Sequence, residues 1–60
     1  MKMTITEAIK MICSIVIEYV ESEDYEELRK AEDIAYEYDI FMEFDDEYIA
    51  VEDDVFYLNR

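Results

Sequence analysis

The sequence has no histidine, no glycine and no proline, and it holds a single cysteine. Without histidine the chain lacks the commonest metal ligand and the side chain most often used as a general base near neutral pH. One cysteine, Cys13, excludes an internal disulfide and offers no metal-ligand spacing. Nucleophilic catalysis needs a base-activated Ser, Cys or Lys, so these absences argue against an enzyme. Cys13 lies in an apolar run with no cation nearby, the setting of an inert core thiol. Without glycine or proline, both turns of any hairpin region must rely on Asp, which bonds to nearby backbone and tolerates the left-handed region better than most residues.

Long apolar runs are missing as well. The stretch from Met11 to Ile17, bounded by Lys10 and Glu18, falls far short of the ~20 residues a bilayer span requires. Glu7 and Lys10 interrupt any apolar region a secretory signal would need, and no small-residue cleavage site follows. A reducing, cytoplasmic compartment is expected.

Positive charge is the remaining scarcity. The chain has 18 acidic and 5 basic residues, for a formal charge of −13, and residues 31–59 hold eleven carboxylates with no Lys, Arg or His. Such an excess steers association with basic partners while self-repulsion opposes compaction. Yet 53% of the residues are hydrophobic and 15% aromatic, more core material than an acidic disordered tail carries. The expectation is one folded domain, residues 1–60, with a core of marginal size and a strongly negative surface.

Thr4-Ile5-Thr6-Glu7 has the form of a capping box and should open a helix. Glu7, Lys10, Ser14, Glu18 and Glu21 follow at spacings of three and four, a narrow wet stripe on an otherwise apolar helix that must be covered on more than one side. Asp24-Tyr25-Glu26-Glu27 is a weaker capping box, and Leu28, Ala31, Ile34, Ala35 and Tyr38 recur at helical spacing, which predicts a second helix over about 24–38. Glu26 and Lys30 stand four apart in the order that favours an ion pair. From Ile40 the period changes to two, predicting three short strands separated by Asp45-Asp46-Glu47 and Glu52-Asp53-Asp54. The predicted fold is α+β: an antiparallel two-helix hairpin packed on a three-stranded antiparallel meander, ααβββ.

No carboxylate pair stands out as an acid–base site, and neither Asp cluster has the alternating ligands or the glycine of an EF-hand loop. No cofactor and no metal are expected. Taken singly, each cluster reads as acidic residues filling an exposed turn. The set says more. Along a strand, side chains at i and i+2 lie roughly 6 to 7 Å apart on one face, which predicts a row formed by Glu43, Asp45 and Glu47. Asp33 and Glu37, four apart on a helix, stand about 6 Å apart along its axis. A nucleic-acid strand carries one charge per ~3.4 Å of rise, so such rows on a rigid scaffold can imitate phosphates. The six tyrosines exceed what so small a core can bury, and Tyr is a common interface anchor. Candidate partner-binding residues are therefore Asp33, Glu37, Glu43, Asp45, Asp46, Glu47, Tyr48, Glu52, Asp53 and Asp54.

In composition, size and its Tyr-plus-carboxylate content the whole chain resembles the small acidic DNA-mimic inhibitors of bacteriophages and other mobile elements, among them anti-CRISPR, anti-restriction and uracil-glycosylase inhibitor proteins. The resemblance implies occupation of the nucleic-acid-binding site of a nuclease or other DNA-binding enzyme, without chemistry and without direct contact to nucleic acid. The low charge of residues 1–20 departs from a uniformly acidic mimic and points to packing or self-association by the first helix, with Met11, Ile15 and Ile17 as contacts of a homodimer or other oligomer. The alternative is a small interaction module, such as a transcription-regulator partner or an antitoxin-like protein, that binds through that apolar helix.

Overall fold

A computed structural model of the chain describes residues 2–58. In chain order it contains α1 (Ile5–Ser22), α2 (Tyr25–Tyr38), β1 (Met42–Phe44), β2 (Tyr48–Val51) and β3 (Asp54–Tyr57). The strands form one antiparallel sheet in the order β1-β2-β3, so the fold is the α+β ααβββ arrangement.

Local chemistry sets the boundaries. Thr4 Oγ1 accepts from Glu7 N–H at 3.1 Å and Glu7 Oε1 accepts from Thr4 N–H at 2.9 Å, the reciprocal box that starts α1. α2 has only half a box: Asp24 Oδ1 accepts from Glu26 N–H at 3.0 Å, and Asp24 N–H donates to Ser22 Oγ at 3.3 Å. Both helices end on left-handed residues, Glu23 (φ 57°) and Asp39 (φ 56°), where glycine would ordinarily stand. Ile40 is a correction to the predicted first strand. Its N–H donates to Ala35 O at 2.8 Å and its side chain is buried, so it closes the Schellman cap of α2, and β1 begins only at Met42.

α1 is the element that the rest packs around. Ala8, Ile12, Val16 and Tyr19 are buried along one face and meet Leu28, Ala31 and Ala35 of α2 and Ile49 and Val51 of β2. Burying a side chain such as Ile12 or Val16 stabilises by roughly 1.5–3 kcal/mol. The predicted wet stripe is wet: Glu7, Lys10, Ser14, Glu18 and Glu21 are all exposed. On α2, Lys30 pairs with Glu27 at 3.4 Å rather than with Glu26, one turn back by the i, i+3 route. No helix among the described residues is long and apolar enough to cross a membrane.

Candidate partner-binding surface

Register separates the predicted acidic residues. Met42 faces Val51, Glu43 faces Ala50 and Phe44 faces Ile49, which puts Met42, Phe44, Ile49 and Val51 on the side toward α1 and Glu43, Tyr48 and Ala50 on the open side. β1 ends at Phe44 and the chain turns over the next three residues, so Glu43, Asp45 and Glu47 do not form the predicted strand row. Asp45 Oδ1 accepts from Glu47 N–H at 3.1 Å and Asp45 N–H donates to Tyr48 O at 2.9 Å, an Asp-built turn of the predicted kind. On the open face Tyr48 donates its hydroxyl proton to Glu43 Oε2 at 3.0 Å, across the diagonal of the β1–β2 pair. That bond to an anionic acceptor raises the Tyr48 hydroxyl above its ordinary value, and the Glu43 charge adds to the effect. Tyr57 stands opposite Tyr48 on the same face, 75% exposed.

The second cluster lies at the other end of β2, roughly 17 Å away at ~3.4 Å per residue from Glu47 to Glu52. Two of its groups serve the fold. Glu52 Oε1 accepts from Phe41 N–H at 3.2 Å, while Glu52 itself takes a left-handed φ of 53° as the first of two loop residues. Reliance on Asp alone is corrected here, since Glu occupies this strained position. Asp54 Oδ2 accepts from Cys13 Sγ at 3.8 Å. Burial pushes the Cys13 thiol up and the Asp54 carboxylate pushes it further, so the sulfur stays protonated and a poor nucleophile. Asp53 is exposed beside them.

At the Asp45–Asp46 end the packing creates a cleft. It has a volume of about 310 Å³ between the first half of α2 and the sheet, with Tyr19, Leu28, Ile49 and Leu58 among its walls. Glu32, Asp45 and Asp46 bring three carboxylates to it, and Tyr25 and Phe44 bring two aromatic rings. The Tyr25 ring lies 5.8 Å from that of Tyr19, tilted by 58°. Glu32 and Phe44 are not among the residues the sequence singles out, and Tyr25 enters there only as one of the six tyrosines. Glu32 sits four residues after the buried Leu28, on the shoulder of the α2 core stripe. Asp33 and Glu37 are exposed on α2 but outside this cleft; Asp33 is turned about 100° around the helix from Glu32.

The predicted self-association residues also part company. Met11 (45% exposed) and Ile17 (51%) lie about 120° apart around α1, on opposite flanks of the polar stripe, and Ile15 packs against the core. They do not form one patch.

Among the described residues a single ion pair forms, Lys30–Glu27, and none of them places a cation on the carboxylates from Glu32 onward. Three or more candidate ligands do not converge as a metal site anywhere among those residues. Comparison with known protein families, with curated proteins and with solved structures finds no match.

Proposed function

We propose that the protein is a non-enzymatic inhibitor that occupies the basic nucleic-acid-binding surface of another protein, as anti-defence proteins of phages and mobile elements do in the bacterial cytoplasm. The observation that carries this is the cleft where Glu32, Asp45 and Asp46 stand beside Tyr25 and Phe44. Carboxylates pair with the Arg and Lys side chains that grip phosphates, and an aromatic ring takes the flat face of an Arg guanidinium. Glu43, Tyr48 and Tyr57 extend the same chemistry onto the open face of the sheet. The longest dimension of the protein, 37 Å, is close to one turn of duplex DNA, ~34 Å.

The test is affinity capture of a partner from a bacterial lysate, followed by competition with labelled DNA. The partner should be basic, its DNA should be displaced, and displacement should weaken steeply as salt is raised. Direct binding of DNA by the protein itself would overturn the proposal.

A second reading draws on α1, where Ile5, Met11 and Ile17 remain exposed. A regulatory or antitoxin-like module would dock on one of these flanks of α1, that of Met11 or that of Ile17, and a homo-oligomer would bury it. Partner capture that persists at high salt, or a concentration-dependent sedimentation coefficient, would favour it.

A further inference from the structure

Among the described residues β3 is an edge strand, and a groove runs along its outer edge. The Leu58 N–H to Glu47 O bond at 2.8 Å fixes the phase of the β2–β3 ladder. Antiparallel pairs alternate between bonded and non-bonded, so Asp54 and Phe56 turn their backbone groups toward β2, and Val55 and Tyr57 turn theirs outward. Val55 and Tyr57 are 47% and 75% exposed, and among the described residues no element lies beyond them in the sheet.

The neighbouring flank of α1 supplies a floor. Ile17, Val20 and Glu21 with Val55, Phe56 and Tyr57 line a groove of about 300 Å³ along this edge. An extended segment is the occupant such a geometry fits, because only a strand satisfies the outward N–H and C=O groups of Val55 and Tyr57. The apolar floor selects alternate apolar side chains on that segment.

Charge selects the rest. Glu21 lines the groove at one end, Asp53 and Asp54 flank the start of β3 at the other, and among the described residues no cation lines it. A second copy would bring the same carboxylates, since antiparallel pairing of β3 with itself places Asp54 beside the Tyr57–Glu21 end of its mate. A basic segment meets complementary charge at both ends. We infer that the β3 edge and the Ile17–Val20 flank of α1 form a strand-addition site for an extended, alternating basic–apolar segment of a partner protein. The site is separate from the Glu32–Asp45–Asp46 cleft and does not depend on DNA mimicry.

The probe is a synthetic alternating Lys–Val peptide, titrated into the full chain and followed by amide NMR. The expected result is slowed hydrogen exchange at the Val55 and Tyr57 amides and shifts at Ile17 and Val20. A peptide of the same charge, N-methylated at alternate residues so that it cannot pair as a strand, should bind at least tenfold more weakly. Val55→Pro removes one outward N–H at an edge position where proline is tolerated, and should abolish the exchange effect while leaving the helical circular dichroism unchanged. Should that variant unfold, the N-methylated peptide decides alone. Equal binding of both peptides, with shifts gathered at Glu32, Asp45 and Asp46, would overturn the strand-addition site and leave the acidic cleft as the binding surface. Protection of Val55 and Tyr57 without peptide, rising with protein concentration, would overturn it in favour of a second copy.

Discussion

Asp45-Asp46-Glu47 and Glu52-Asp53-Asp54 bring the same number of charges to the two ends of one four-residue strand, yet their surroundings differ. At the first end Asp45 and Asp46 join Glu32, Tyr25 and Phe44 in an open cleft. At the second, Glu52 holds Phe41 N–H and Asp54 holds the Cys13 thiol. The difference comes from what packs behind each turn. The first faces the start of α2, whose flank presents Glu32 and Tyr25; the second is drawn against the middle of α1 and the loop that leaves α2. A cluster of carboxylates thus lines an open cleft in one place and fastens distant parts of the fold in another.

The largest effect breaks both ends together. Ile12 is fully buried in the core that α1 shares with α2 and β2. Ile12→Ala should cost about 2–5 kcal/mol, a large fraction of the stability of a domain this size, and lower the melting temperature read by circular dichroism. Loss of one end alone in that melt would show that they are not held by a common core.

At the first turn Asp45 has a fold role beside its charge, since it accepts from Glu47 N–H. Asp45→Ala should destabilise by about 1 kcal/mol, whereas Asp45→Asn, which keeps the acceptor oxygen, should be nearly silent in a urea titration. A large loss from Asn would mean that charge, not the acceptor, makes the turn.

Backbone strain sharpens the contrast in the opposite direction. Asp39→Gly should stabilise by about 0.5–1 kcal/mol, because glycine enters the left-handed region without the Cβ penalty. Glu52→Gly should gain less, since it also removes the bond to Phe41 N–H. An equal gain at both sites in chemical denaturation would show that the Glu52–Phe41 contact contributes nothing.

The smallest effect concerns pH. The folded value of Tyr48 is raised, so the stabilisation tied to its bond with Glu43 is fully present below the ordinary tyrosine value of ~10 and is lost as pH rises through the raised folded value. Glu7 runs the other way: its carboxylate is held down first by the Thr4 backbone N–H, so its contribution is present above the ordinary glutamate value and is lost as pH falls through the lowered one. An alkaline ultraviolet titration of Glu43→Gln should show Tyr48 ionising earlier than in the wild type. An unchanged titration would remove Glu43 as the cause.

Much of this was legible from residues alone. The Thr4–Glu7 box, the wet stripe of α1 and the change of period after α2 rest on contacts within a few residues of each other, where spacing determines who meets whom. Alternating apolar residues from Ile40 suit a strand, but the left-handed Asp39 turns Ile40 back onto Ala35 before the strand begins. Glu32 was invisible for a different reason. On α2 it is one more exposed acid, and only the docking of the β1–β2 turn against that flank makes it part of a cleft. The fastening of Glu52 to Phe41 and of Asp54 to Cys13 likewise spans long stretches of sequence that no local pattern joins.

The central claim is that the two acidic ends are unequal, and two charge-matched variants test it most directly. One carries Glu32→Gln, Asp45→Asn and Asp46→Asn; the other carries Glu52→Gln, Asp53→Asn and Asp54→Asn. Both lose three negative charges, and each is titrated against labelled DNA bound to the captured basic partner. The expected result is a loss of tenfold or more in competition for the first variant and a change of less than threefold for the second. Equal losses would contradict the account, because net charge rather than the cleft would then carry the binding.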